Sequence, residues 1–212
     1  MGHGKPHSCE EVAAQELKLR PGLKNEPLLD SQHWLYTDGC CYKGENGNVV
    51  TYAVMEKHTD STHTEVDSGI IPQPASAQMA EILALTKALQ WSKGKRLNIY
   101  TDSAYAHGAV HIDGPQWKKR NFLTTSKTPV KHKDQLVTLL EAVKAPAAVA
   151  IMKCKGHDKA DTRVAKGNEA ADQRAKEVGG CTPRQMTLQP EGGPTELTTE
   201  NIKDIQEEAR TI

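Results

Sequence analysis

The sequence predicts an α/β sandwich whose five-stranded mixed sheet, three strands antiparallel and the others parallel, is flanked by helices. Three observations carry this expectation. A chain of 212 residues is long enough for one ordinary domain with tails. Its first half holds three short β-rich runs separated by polar turns, the pattern of an antiparallel meander. Helical and strand periods then alternate, and a strand reached through a helix crossover lies parallel to its neighbour.

Residues 1–30 are polar and carry Pro6, Pro21, Gly22 and Pro27, so they read as a lead-in with one short helical stretch at Glu10–Leu19. The first strand is His33–Asp38, with Trp34, Tyr36 and Asp38 on one face and Leu35 and Thr37 on the other. A turn at Gly44–Asn48 leads to a strand at Val49–Met55, and a second turn at His58–Thr62 to a strand at Glu65–Ile71. Pro72 and Pro74 end the meander, and Ser76 stands where a helix N-cap belongs. Ile82, Leu85, Ala88 and Leu89 then recur at helical spacing across Ala77–Trp91, which Gly94 stops. Arg96–Asp102 alternates as a strand. A short helix at Ala104–His111 is expected to break at Gly114–Pro115. Lys131–Lys144 is helical with a stripe of Leu136, Leu139, Leu140 and Val143, and the apolar run Ala147–Met152 reads as a buried strand. The last helix, Arg163–Val178, presents Val164, Ala171, Ala175 and Val178 before Gly179–Gly180. The chain divides into a lead-in (1–30), a domain (31–180) and an acidic, mobile tail (181–212).

Lys and Arg total 27 and Asp and Glu total 27, but the balance hides an uneven distribution. Lys118, Lys119, Arg120, Lys127, Lys131 and Lys133 fall between Pro115 and Lys133 with no acid among them, a segment suited to a polyanion. The five cysteines, Cys9, Cys40, Cys41, Cys154 and Cys181, have no CxxC spacing. They are neither a disulfide framework nor a zinc module, and they fit a reducing compartment. No stretch approaches a signal peptide or the ~20 apolar residues of a membrane span. The expectation is a soluble intracellular protein, cytoplasmic or nuclear, and monomeric in isolation.

Two strands end in the same pattern, Tyr36-Thr37-Asp38 before Gly39 and Tyr100-Thr101-Asp102 before Ser103. An Asp closing an otherwise apolar strand packs badly, and ligands gather at the carboxyl edge of open α/β sheets. Taken singly, each such Asp reads equally well as a turn cap. Glu81, beside Ala80 and Ala84, is alone a solvated helical acid near the positive helix end. Asp172 is alone an exposed acid pairing with Lys176 one turn on. His157, after Gly156 in a loop rich in Lys and Asp, is alone an ordinary loop histidine.

Read together, Ser76-Ala-Gln-Met-Ala-Glu81, Tyr100-Thr-Asp-Ser103, Cys154-Lys-Gly-His157 and Gly167-Asn-Glu-Ala-Ala-Asp172 resemble the ribonuclease H family. They resemble most the RNase H domain of gammaretrovirus-type reverse transcriptases, over about Leu28 to Val178. The lead-in from His7 to Leu28 looks like the end of the connection region before that domain. The chain then reads as a retroviral, endogenous-retroviral or domesticated fragment, with a virion as a further setting and a polymerase domain or other retroelement protein as a partner. The resemblance implies an RNase H-like fold with a basic protrusion helix and cleavage of the RNA strand of an RNA–DNA hybrid to 3′-hydroxyl and 5′-phosphate ends. It implies that Asp38 bridges two Mg²⁺ ions, with Glu81 and Asp102 on one side and Asp172 on the other, and that His157 assists proton transfer or product release. Mn²⁺ is a plausible substitute for hard oxygen ligands. Carboxylates within ~4 Å of one another repel by roughly 1–4 kcal/mol per pair, so such a cluster needs cations.

The same resemblance assigns Gln78 to the minor groove between the strands, the backbone at Gly39 and Cys40 to the RNA, and Ser103 to the substrate side. Trp117-Lys118-Lys119-Arg120 resembles the protrusion that grips the DNA strand; otherwise it is a solvated basic helix. Met79 stands where many relatives have Arg, and Lys155 where many have Pro. Residues 43–74 are longer than expected and point to rearranged second and third strands. Two other readings stay open: a domesticated module that binds nucleic acid or protein without turnover, and a superfamily member of the integrase or proofreading-exonuclease kind. The spacing from Glu81 through Asp102 to His157 speaks against the last.

Overall fold

A computed structural model of the chain describes residues 18–181. A meander of β1 (His33–Gly44), β2 (Gly47–Lys57) and β3 (His63–Ile70) is followed by helix α1 (Ala77–Trp91) and β4 (Arg96–Thr101). Next come α2 (Ala104–Gly108), a π-helical turn (Ala109–Asp113), α3 (Gly114–Lys119), α4 (Lys133–Ala142), β5 (Ala148–Lys153) and α5 (Arg163–Val178). The sheet order is β3-β2-β1-β4-β5, antiparallel across the meander and parallel from β1 to β5. This is the α/β class and mixed sheet expected.

The two faces of the sheet are filled differently. Leu35, Val54, Leu97, Ile99, Val149 and Ile151 belong to the larger core, with Ile82, Leu85 and Leu89 of α1 and Leu136 and Leu139 of α4. The opposite face presents Tyr36 and Tyr100, stacked 5.3 Å apart, with Met152 and Ala171 of α5. Large rings on the strands demand a helix of small residues above them. A Cβ at Gly167 would overlap the Tyr36 ring, so glycine there sets how closely α5 approaches.

Three expectations change. β1 does not stop at Asp38 but continues to Gly44, because residues past the end of β4 still pair with β2, Asp38 with Ala53 and Gly44 with Gly47. Asp38 is therefore a mid-strand residue, and only Asp102 follows a strand end. Gly114–Pro115 does not end the helix after Asp102. The π-helical turn hands over to α3, and proline falls in its first turn, where an N–H has no helical partner to lose. A Cβ at Gly114 would lie 2.8 Å from the Leu140 side chain, so α3 and α4 meet closely there. The meander itself is regular, with one register shift at Val54/Met55 rather than a rearrangement.

The described part of the lead-in packs onto the domain. Lys24 bridges Ala150 in parallel beside β5, and Leu23 joins the larger core. The Arg20 guanidinium donates to the carbonyls of Val143, Pro146 and Ala147 at 3.1, 2.7 and 3.1 Å. The expected helix at Glu10–Leu19 falls mostly outside the described residues, with Lys18–Arg20 in bends; of the expected tail at 181–212 only Cys181 is described, and it is buried with Tyr42 and Ala175.

Candidate active site

Parallel pairing of β1 with β4 sets Tyr36 against Tyr100 and Thr37 against Thr101, so Asp38 and Asp102 follow at the same level. Asp38 shares the Tyr36 face and is 5% exposed. Glu81 arrives on α1, whose start is fixed by Ser76: its side chain accepts the Met79 N–H at 3.3 Å. Gly39 lets that helix close on β1, since a Cβ there would meet the Glu81 nitrogen at 2.6 Å and the Ala80 carbonyl carbon at 2.8 Å. One carboxylate oxygen from each of Asp38, Glu81 and Asp102 lies within 4.8 Å of the others.

Asp172 stands near this group without being one of the three. Its Oδ2 accepts from Lys176 Nζ at 2.8 Å, the helical pairing anticipated for it, while its charge still acts on Asp38 and Asp102. Burial, then the charges of Asp102 and Asp172, push the Asp38 carboxyl well above the usual carboxylate range. Burial, then Asp38 and Asp102, do the same to Glu81. Asp102 is raised by burial against the opposing hydrogen bond from Asn168. Glu81 Oε2 is buried with no hydrogen-bond partner. A cluster of hard oxygens that cannot all ionise by themselves, one of them orphaned, fits a divalent cation such as Mg²⁺.

His157 sits at φ +49° in the turn after β5. Gly156 before it lies against the cluster, as a Cβ there would be 2.9 Å from Asp102 Oδ2. His157, Asn168 and Asp172 line one cleft of about 450 Å³. Gln78 is exposed in the first turn of α1, on the approach to Glu81. Ser103 Oγ caps α2 by accepting from the Ala106 N–H at 3.1 Å. The Cys40 side chain is buried with Tyr42, Ala53 and Ala175, and burial with the nearby Asp38 charge pushes its thiol up to about 12. Only its backbone is left to meet a ligand. On α3, Trp117 packs against the larger core while Lys118, Lys119 and the C-cap Arg120 are exposed, with Lys118 Nζ 4.0 Å from Glu141. These cations are not members of the carboxylate cluster.

Sequence reasoning passed over Asn168, which is 3% exposed and donates from Nδ2 to Asp102 Oδ2 at 3.2 Å. Its only signal was helical: Asn168 and Asp172 are four residues apart and share a face.

A model of the RNase H family matches residues 30–179. The Gag-Pol polyprotein of baboon endogenous virus (strain M7) is 37% identical over 209 residues, covering 98% of this chain and 12% of the polyprotein. The Pol polyprotein of feline endogenous virus ECE1 is 38% identical over 209 residues, covering 97% and 19%. The chain thus spans less than a fifth of these relatives. The solution structure of the PFV RNase H domain aligns with a TM-score of 0.58 at 25% identity, over 70% of this chain and 94% of that one. The foamy viral protease-reverse transcriptase in complex with RNA/DNA hybrid shares the fold at a TM-score of 0.61 and 21% identity, over 75% and 21%. Because the family model spans the whole sheet and every helix that frames the carboxylates, the chain belongs to the RNase H family.

Proposed function

We propose that this domain is an endoribonuclease that hydrolyses the RNA strand of RNA–DNA hybrids, with Asp38, Glu81, Asp102 and Asp172 as ligands for two Mg²⁺ ions. The observation that carries this reading is the convergence of Asp38, Glu81 and Asp102, with Glu81 Oε2 buried and unpartnered. When bound, a pair of divalent ions supplies Lewis-acid activation of water and charge stabilisation at the departing oxygen. Asp38, Glu81, Asp102 and Asp172 would hold these ions, with Asp38 the most deeply buried of the four. Lys176 engages only Oδ2 of Asp172, so Oδ1 is the oxygen that Asp172 would offer to an ion.

His157, on its turn beside Asp102, would hold the proton delivered to the leaving 3′-oxygen, giving 3′-hydroxyl and 5′-phosphate ends. Gln78 and the backbone at Gly39 and Cys40 would meet the hybrid around the scissile bond, with Ser103 at the far side. Lys118, Lys119 and Arg120 would take phosphates of the DNA strand, with Trp117 as their anchor. A foamy viral relative solved with an RNA/DNA hybrid supports the substrate class, and the polyprotein relatives support a polymerase partner and a virion or cytoplasmic setting. No helix of the described residues is long and apolar enough to cross a membrane.

The Lys176–Asp172 ion pair favours a second reading, a module that binds hybrid without turnover. Labelled RNA–DNA hybrid incubated with Mg²⁺, Mn²⁺ or EDTA decides between them, beside Asp38→Asn. Metal-dependent cutting of the RNA strand by the parent chain alone is expected. Binding without cutting favours the module, and cutting of duplex DNA overturns the substrate assignment.

A further inference from the structure

We propose that Asn168 and Cys154 are positioning residues that hold the Asp102 carboxylate in the orientation metal binding requires. The inference rests on the reading of Asp102 as a metal ligand. Asp102 differs from its neighbours in how it is fixed. Asp38 lies inside β1, paired with Ala53 of β2. Glu81 rides on a capped helix held against Gly39. Asp102 comes one residue after β4, whose last pair is Thr101 with Lys153, so no ladder holds it. Beyond a hydrogen bond from its own backbone N–H, its orientation depends on side chains.

The tether is Asn168, whose Nδ2 donates to Asp102 Oδ2 at 3.2 Å from a nearly sealed position on α5. An amide can be turned either way, and only one way puts a donor on the carboxylate. Cys154 decides which. Its Sγ donates to Asn168 Oδ1 at 3.5 Å, and its backbone N–H is fixed to the Thr101 carbonyl at 2.9 Å. A thiol can give its proton to an amide oxygen, and Sγ faces Oδ1 rather than the amide nitrogen. Turning the amide over would set two oxygens against each other at Asp102 and waste the thiol proton. The order is therefore Cys154 S–H to Asn168 Oδ1, then Asn168 Nδ2–H to Asp102 Oδ2. Asn168 stands one turn before Asp172, so a single face of α5 supplies one proposed ligand and the tether of another.

Partners of metal ligands typically set affinity by about ten- to a hundredfold. Asn168→Ala is expected to weaken Mg²⁺ binding to the free protein by that range in calorimetry. The Mg²⁺ half-saturation of cleavage should rise in parallel while KM for the hybrid stays at the parent value. Cys154→Ala should shift both in the same direction by less, and Cys154→Ser, which keeps a donor, should restore them. The cysteine pair leaves Asn168 in place, so it decides the question even if Asn168→Ala folds poorly. Parent-like Mg²⁺ affinity in a folded Asn168→Ala, or no difference between Cys154→Ala and Cys154→Ser, overturns the inference while the function stands. A parent chain that neither binds Mg²⁺ nor cuts hybrid overturns the function, and this inference with it.

Discussion

Asp38, Glu81 and Asp102 bring carboxylate oxygens within 4.8 Å of one another in a largely dry site. At an effective dielectric of about 20, two unit charges some 4 Å apart repel by roughly 4 kcal/mol, so the metal-free protein keeps protons there. All three carboxyls are raised in the folded state. Below the ordinary carboxylate value of about 4 both folded and unfolded chains hold these protons, and no stability is lost. As pH rises, the unfolded chain releases them first, so stability falls until the raised folded values are passed. Mg²⁺ reverses the loss only where the oxygens are ionised. Its melting-temperature gain in scanning calorimetry should therefore be larger at pH 8 than at pH 5; an equal gain would place the metal elsewhere. Asp38→Asn should melt higher than the parent at pH 8 without metal while losing Mg²⁺-dependent cleavage to background. A melting point below the parent's would show that the Asp38 carboxyl stabilises the fold by more than its repulsion costs. At this scale the acids and His157 were legible as residue types in order, and so was the Asp172–Lys176 pairing. Asn168 was not, because an asparagine's value lies in what it faces.

Helices and strands place those residues through close contacts that tolerate little added volume. Gly39→Ala would push a methyl group into the backbone of α1 at Glu81, where no flexible side chain can yield. Destabilisation of about 1–3 kcal/mol in urea titration is expected, together with loss of cleavage; a parent-like midpoint would mean that α1 rides further from β1. Neutralising Lys118, Lys119 and Arg120 at the end of α3 should weaken hybrid binding and flatten its dependence on salt concentration, leaving the melting temperature nearly unchanged. Unchanged affinity would reject α3 as the DNA-strand grip. The helices Ala77–Trp91 and Arg163–Val178 were legible to the residue, because capping side chains, apolar period and terminal small residues agree in each. The end of β1 and the path through Gly114–Pro115 were not. A partner strand decides the first, and the π-helical turn decides the second.

Across the whole domain, residues 18–30 act as an added edge rather than a loose lead-in. Leu28 donates to Asn98 Oδ1 at 2.7 Å and accepts from Asn98 Nδ2 at 3.1 Å, satisfying an amide that is otherwise fully buried. Removing the chain up to residue 30 would leave Asn98 and the carbonyl acceptors of Arg20 without those partners. An unsatisfied buried polar group costs roughly 1–3 kcal/mol, so the shortened chain should unfold at clearly lower urea. An unchanged midpoint would show that these contacts add nothing net.

What the sequence by itself determined is the inventory: the order of strands and helices, the apolar stripes, and five titratable residues in a recognisable order. Those are local, since period, capping and turn chemistry are written in neighbouring residues. Only the tertiary structure decided that Asp38 sits inside a strand, level with Asp102, that Glu81 Oε2 has no partner, and that Asn168 tethers Asp102. Each such arrangement depends on segments far apart in the chain being brought together. Its geometry follows from strand register and helix approach, which no single segment specifies.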